Sequence, residues 1–198
     1  DSSGSMGTIV NDTKGGFDQF VREQQAVEGE CNLTLVKFAN NYEFVHKGVA
    51  IQAVPPLEFS PSGATALLDA MGRAILETDE RLKANPERNV IFVVITDGEE
   101  NSSTEFRLEH IRAFIKERSS WSFVFFGADI DAITESSKLG IGGSTTLSFS
   151  KSSANVSESY ATLSKNIADV RTNDKQDMSF TKQQRAKMAR RLRARRNN

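Results

Sequence analysis

The stretch Asn89-Val90-Ile91-Phe92-Val93-Val94-Ile95-Thr96-Asp97-Gly98-Glu99-Glu100 decides the fold class. Asn89–Thr96 is a short, continuous apolar run and reads as a strand covered on both faces, as parallel strands are. At Thr96 the composition switches to hydroxyl, carboxylate and glycine. Ser122–Gly127 repeats the apolar pattern, and Thr145–Phe149 reads as a last strand. Leu33–Phe38 and Tyr42–Lys47 flank an Asn40-Asn41 turn and read as a hairpin. Helical patterns fill the gaps. Leu68, Met71, Ile75 and Leu82 share one face of a helix that Asn85-Pro86 stops. Ser102 and Glu105 have capping-box spacing ahead of Leu108, Ile111 and Ile115. Val156, Tyr160, Leu163, Ile167 and Val170 form an amphipathic stripe. Strands alternating with helices predict an α/β fold. The sheet is expected to be Rossmann-like, doubly wound and mostly parallel, with Tyr42–Lys47 as one antiparallel edge strand.

The chain has 198 residues, 38% hydrophobic and 26% charged, enough to bury a core without disulfides or a structural metal. Its single cysteine, Cys31, excludes an internal disulfide and reads as a small hydrophobe ahead of a strand. The longest apolar run, Val90–Ile95, is far below the ~20 residues that span a bilayer. Asp1-Ser2-Ser3-Gly4-Ser5 is neither basic nor apolar and does not read as a signal peptide.

The net charge of −1 hides an asymmetry. Lys182, Arg185, Lys187, Arg190, Arg191, Arg193, Arg195 and Arg196 form a basic tail free of acidic residues. Without those eight the body holds 17 basic against 26 acidic residues, a balance of −9. An acidic domain over 1–172 thus carries a linker, 173–180, and a basic tail, 181–198, in which Thr181 caps a marginal helix. Docking on an acidic surface or nucleic acid is the functional reading of that tail, where Lys and Arg release counterions from phosphate.

In open α/β sheets ligands bind beyond the carboxyl ends of the strands. Three loops there are rich in Ser, Thr and Asp: Asp1-Ser2-Ser3-Gly4-Ser5-Met6, Ser60-Pro61-Ser62-Gly63-Ala64-Thr65 and Thr96-Asp97-Gly98-Glu99-Glu100. Two carboxylates and three hydroxyls are hard oxygen ligands suited to Mg²⁺ or Mn²⁺. His46 and His110 fall on a strand and a helix, so Ser3 has no general base and no catalytic residue is assigned. Glu99 and Glu100 read as a solvated acidic loop. Gly140, Gly142 and Gly143 lack the preceding strand of a dinucleotide fingerprint and read as the turn into the last strand.

Asp1-x-Ser3-x-Ser5, then Thr65, then Asp97 resembles the metal-ion-dependent adhesion site of the von Willebrand factor type A domain. Gly15-Gly16-Phe17, Thr65-Ala66-Leu67-Leu68-Asp69-Ala70 and Ile95-Thr96-Asp97-Gly98-Glu99-Glu100-Asn101 resemble its stand-alone bacterial and phage branch. The resemblance implies that Ser3 and Ser5 coordinate the metal, Thr65 directly or through water, and Asp1 and Asp97 mainly through water. Three neutral ligands leave the cation electron-poor, so an open position favours a carboxylate from another protein. The implied function is non-enzymatic protein–protein interaction, in the cytoplasm, or in a virion or host cytoplasm for a phage product. An Mg²⁺-dependent phosphatase using Asp1 as nucleophile is the rival, but its chemistry wants a second Asp where Ser3 stands. In the resembling family the first Asp ends a central buried strand, so a further strand is expected upstream of residue 1.

Overall fold

The computed structural model describes residues 1–84 and 89–188. A short 3-10 segment, Gly4–Ile9, leads into helix α1, Val10–Gln25. Strands β1, Asn32–Phe38, and β2, Tyr42–Ala50, form the expected antiparallel hairpin, with Phe38 opposite Tyr42. Helix α2, Leu67–Leu82, carries the predicted stripe; the Asn85-Pro86 stop lies outside the described residues. Strand β3, Ile91–Thr96, helix α3, Leu108–Glu117, and strand β4, Ser122–Ala128, follow. Helix α4, Ala132–Leu139, strand β5, Thr146–Phe149, and helix α5, Ser153–Arg171, complete the α/β order.

Strands β3, β4 and β5 form a parallel sheet in that order, and β1 with β2 forms a separate two-stranded sheet. The antiparallel strand is therefore present but does not edge one continuous sheet. Asp1 and Ser2 connect the two. The Asp1 nitrogen donates to Ile95 O on β3 at 2.9 Å, and Ser2 N donates to Phe38 O on β1 at 2.7 Å.

Alternation along β4 explains the double winding. Val124, Phe126 and Ala128 join the core under α1 and α5, whereas Phe123 and Phe125 join the core under α2, α3 and α4. Successive strand side chains point to opposite faces, and a helix layer covers each face. Burying a side chain such as Phe125 or Phe126 contributes roughly 1.5–3 kcal/mol. The α5 stripe is seated as its spacing predicts, with Val156, Tyr160, Leu163 and Ile167 all buried.

Two sequence expectations need correction. Ser102 and Glu105 do not cap α3, which starts at Leu108. Glu105 instead pairs with Arg73, and the backbone N–H groups of Thr104, Glu105 and Phe106 go to the Asp69 carboxylate. The segment 173–180 is no free linker, because Met178 and Phe180 are buried and the Phe180 ring lies 5.5 Å from that of Phe126. Thr181 does cap the turn that follows. Its hydroxyl accepts from Gln184 N at 3.1 Å while Gln184 Oε1 accepts from Thr181 N at 2.7 Å, a reciprocal capping box. Met188 is buried in the same core.

Candidate metal centre

Ser3 follows the Asp1–Ser2 crossing, and its N–H donates to Asp1 Oδ1 at 2.7 Å. The other Asp1 oxygen accepts from Thr96 Oγ1 at 2.6 Å, so Asp1 is locked at the end of β3. Gly4 N donates to Gly63 O at 3.0 Å, which joins the first loop to the second. Ala66 N donates to Ala39 O at 2.7 Å and holds Thr65 beside the β1–β2 turn. The three expected loops thus meet at one end of the molecule.

The side chains converge in the same way. Ser3 Oγ and Ser5 Oγ are 3.1 Å apart, and Ser5 Oγ donates to Asp97 Oδ1 at 2.6 Å. Gly98 sits between the other hydroxyls: a methyl group there would meet Thr65 Oγ1 at 3.3 Å and Ser5 Oγ at 3.8 Å. Ser3, Thr65 and Asp97 are buried at 2%, 3% and 6% exposure, and Ser5 is exposed, so the cluster is open on the Ser5 side. Asp97 is thus buried although it stands in a loop.

Asp97 Oδ2 is buried. It faces the ammonium of Lys151 at 2.5 Å, across an ion pair whose carboxylate side chain is fully covered.

The donor chemistry fits a small hard cation. Among the described residues no group of three or more His, Cys, Asp or Glu stands ready to hold a metal. What the cluster offers is three hydroxyls with two carboxylates, a set suited to Mg²⁺ or Mn²⁺ with water completing the shell. His46 on β2 and His110 on α3 lie outside it, as their spacing implied.

Several residues that organise the site escaped the sequence reading. Glu100, read as solvated, accepts from Leu68 N, Ser102 N, Ser103 N and Ser103 Oγ at 2.7–2.9 Å. Asn101 clasps Thr65 from both sides, accepting from Thr65 N at 2.8 Å and donating its own N–H to Thr65 O at 3.1 Å. The signal available for Asp69 was an acidic residue in the first turn of an otherwise apolar helix face. Lys151 had a weaker signal, its place just past the carboxyl end of a parallel strand.

The described part of the basic tail is separate from this centre. Arg185 donates to Ser144 O and Phe180 O, and Lys187 pairs with Glu158, so both serve the domain itself. Lys182 is exposed. Arg190, Arg191, Arg193, Arg195 and Arg196 lie outside the described residues.

No family model matches the chain, and no curated protein does. Three solved structures of proximal thread matrix protein 1 from the mussel byssus are similar to it. The first has a TM-score of 0.58 at 16% identity and is matched over 84% of this chain and 44% of that one. A second crystal form scores 0.57 at 15% identity over 84% and 43%. The third, with a zinc-occupied MIDAS motif, scores 0.57 at 16% identity over 80% and 40%. The chain thus spans less than half the length of these structures, and at such identity the likeness concerns the fold. It supports a von Willebrand factor type A-like fold. It carries nothing on the bacterial and phage branch.

Proposed function

We propose that the chain is a non-enzymatic interaction module that binds a divalent cation, Mg²⁺ or Mn²⁺, and through it a carboxylate of a partner protein. Ser3, Ser5 and Thr65 would hold the ion, with Asp1 and Asp97 acting through bound water. A bound cation would supply a positive field at an open coordination position. The observation that carries this reading is the convergence of Ser3, Ser5, Thr65 and Asp97 from three loops onto one partly open cluster. The rival phosphatase reading is opposed by Ser3, which stands where that chemistry wants a second Asp, while the two Asp1 carboxylate oxygens accept from Ser3 N and Thr96 Oγ1. Placement in the bacterial and phage branch rests on the Gly15-Gly16-Phe17 phrase and its companions alone. A role for the tail on an acidic surface or nucleic acid rests on the composition of 182–196 alone.

Calorimetric titration with Mn²⁺, run beside Mg²⁺ and Zn²⁺, tests the metal. One site is expected, weakened by Ser3→Ala and by Asp97→Asn, the latter chosen because alanine would strand Lys151. Affinity unchanged in both variants would sink the assignment. Capture of a partner from native lysate that EDTA does not affect would sink the carboxylate bridge.

A further inference from the structure

Lys151 belongs to none of the three loops that meet at the site, yet its ammonium lies 2.5 Å from the carboxylate at the site's floor. Asp97 divides its oxygens: Oδ1 accepts from the Ser5 hydroxyl, and buried Oδ2 faces the Lys151 ammonium. The lysine side chain is only 17% exposed and that of Asp97 is wholly covered. The arrangement is built from below. Ser150 Oγ and Ser152 Oγ on either side of the lysine are 3.1 Å apart, and buried Asn155 donates from Nδ2 to Ser150 Oγ at 3.0 Å. A fourth loop, between β5 and α5, is therefore fixed so that its one long cation reaches into the cluster.

An ammonium and a divalent ion compete for the same charge. A buried carboxylate must be compensated, because an uncompensated charge in a low-dielectric site is costly. With Lys151 in place, Asp97 is compensated before any metal arrives, and the arriving ion meets a positive charge beside its ligands. We infer that Lys151 is an internal cation that occupies Asp97 in the metal-free domain and is displaced when the metal binds. It sets how much metal is needed to load the site. This inference rests on the metal-binding reading above and adds a residue that positions and regulates, not a ligand.

The two roles of Lys151 predict changes of opposite sign. In the full chain, Lys151→Met should lower the melting temperature in EDTA while tightening Mn²⁺ by about tenfold or more, as removal of a like charge near the ion requires. Lys151→Gln serves as a second variant where methionine impairs folding. Lys151→Arg should restore the EDTA stability and the weaker, wild-type affinity. A purely structural lysine would lose stability and affinity together. In the wild-type chain, Mn²⁺ should also raise acetylation of Lys151 by acetic anhydride, read by peptide mass spectrometry, relative to EDTA. Affinity that is equal or weaker in the neutral variants, or labelling indifferent to Mn²⁺, overturns the inference and leaves the metal reading standing. Absence of Mn²⁺ binding in wild type and variants alike overturns both.

Discussion

Asp69 is the residue whose removal should most clearly couple stability to the site. It lies in the first turn of α2 at 7% exposure, and its carboxylate accepts from Glu105 N at 2.9 Å, Phe106 N at 2.8 Å and Thr104 N at 2.9 Å. Hydrogen bonds to a charged group contribute roughly 1.5–3 kcal/mol each when buried. Thr104 and Glu105 are exposed, so water recovers most of their loss, whereas Phe106 is half-buried. Counting the exposed pair at about 0.5 kcal/mol each, Phe106 at about 2 and the helix-dipole contribution at about 0.5 gives about 3.5 kcal/mol for Asp69→Ala. For a chain of this size that is a drop of about 7–14 °C in melting temperature.

The consequence for the site follows from connectivity. The loop that Asp69 tethers also carries Glu100, which holds the start of α2, and Asn101, which clasps Thr65. Releasing 104–106 should therefore loosen Thr65 against Gly98 and weaken Mn²⁺ binding although no ligand has changed. Urea melts and calorimetry on Asp69→Ala and Asp69→Asn check this. Asparagine retains one acceptor oxygen and should lose about half as much stability. Asp69→Ala within about 1 kcal/mol of wild type, below the lower bound set by a single stranded buried donor, would refute the tether.

Three further outcomes follow. Gly15 and Gly16 are neighbours in α1 with opposite surroundings: nothing lies within 4 Å of a Cβ at Gly15, whereas one at Gly16 would meet the Tyr160 ring at 2.4 Å. Urea melts should show Gly15→Ala stabilising by about 0.5–1 kcal/mol and Gly16→Ala destabilising by about 1–3, and equal effects would contradict the close α1–α5 crossing. Phe180→Ala should cost about 3 kcal/mol or more if 173–180 is docked, and a loss below about 0.5 in thermal melts would restore the linker reading. Burial pushes the Cys31 thiol up, against the lowering pull of Arg171. Iodoacetamide should react slowly at pH 8 and faster as pH rises, with an inflection above that of an ordinary cysteine; an inflection at or below it would contradict the buried setting.

The parts of the fold legible in the sequence are those whose stability is local or continuous. The runs of β3 and β4, the hairpin and the stripes of α2 and α5 each bury a face that the spacing of apolar residues already displays. Helix α1 was not legible for the converse reason. Its buried face is Thr13, Gly16, Phe17, Val21 and Gln24, three of the five small or polar. Two adjacent glycines there cost helix propensity. Packing against α5 pins it instead: the backbone approaches Tyr160 closely, and Gln24 Nε2 donates to Ser164 O at 2.9 Å. The spacing of Ser102 and Glu105 misled because a capping box is a local device. A buried carboxylate on another helix binds three N–H groups of the same segment, and that charged acceptor outweighs a local hydroxyl.

The candidate site divides along the same line. The proposed ligands Asp1, Ser3, Ser5, Thr65 and Asp97 could be named from the sequence because metal chemistry restricts which side chains can serve. The site's state of charge could not, because the ion pair between Asp97 and Lys151 joins residues far apart in the chain. The geometry shows which parts of the site are able to move. Asp1 is fixed by two hydrogen bonds to its carboxylate, Thr65 by Asn101 and by the backbone bond from Ala66 to Ala39, and Gly4 by Gly63. Ser5 is exposed and its hydroxyl meets Ser3 and Asp97, and Lys151 is held by its ion pair at the end of a long side chain. Loading a cation into a cluster so fixed would ask little of the backbone, so the entropy of ordering is already spent in folding. What would change on loading is the hydroxyl orientation of Ser5 and the partner of Asp97. On the proposed reading, the threshold for metal would be a contest between two cations at one carboxylate, set by a single residue outside the motif.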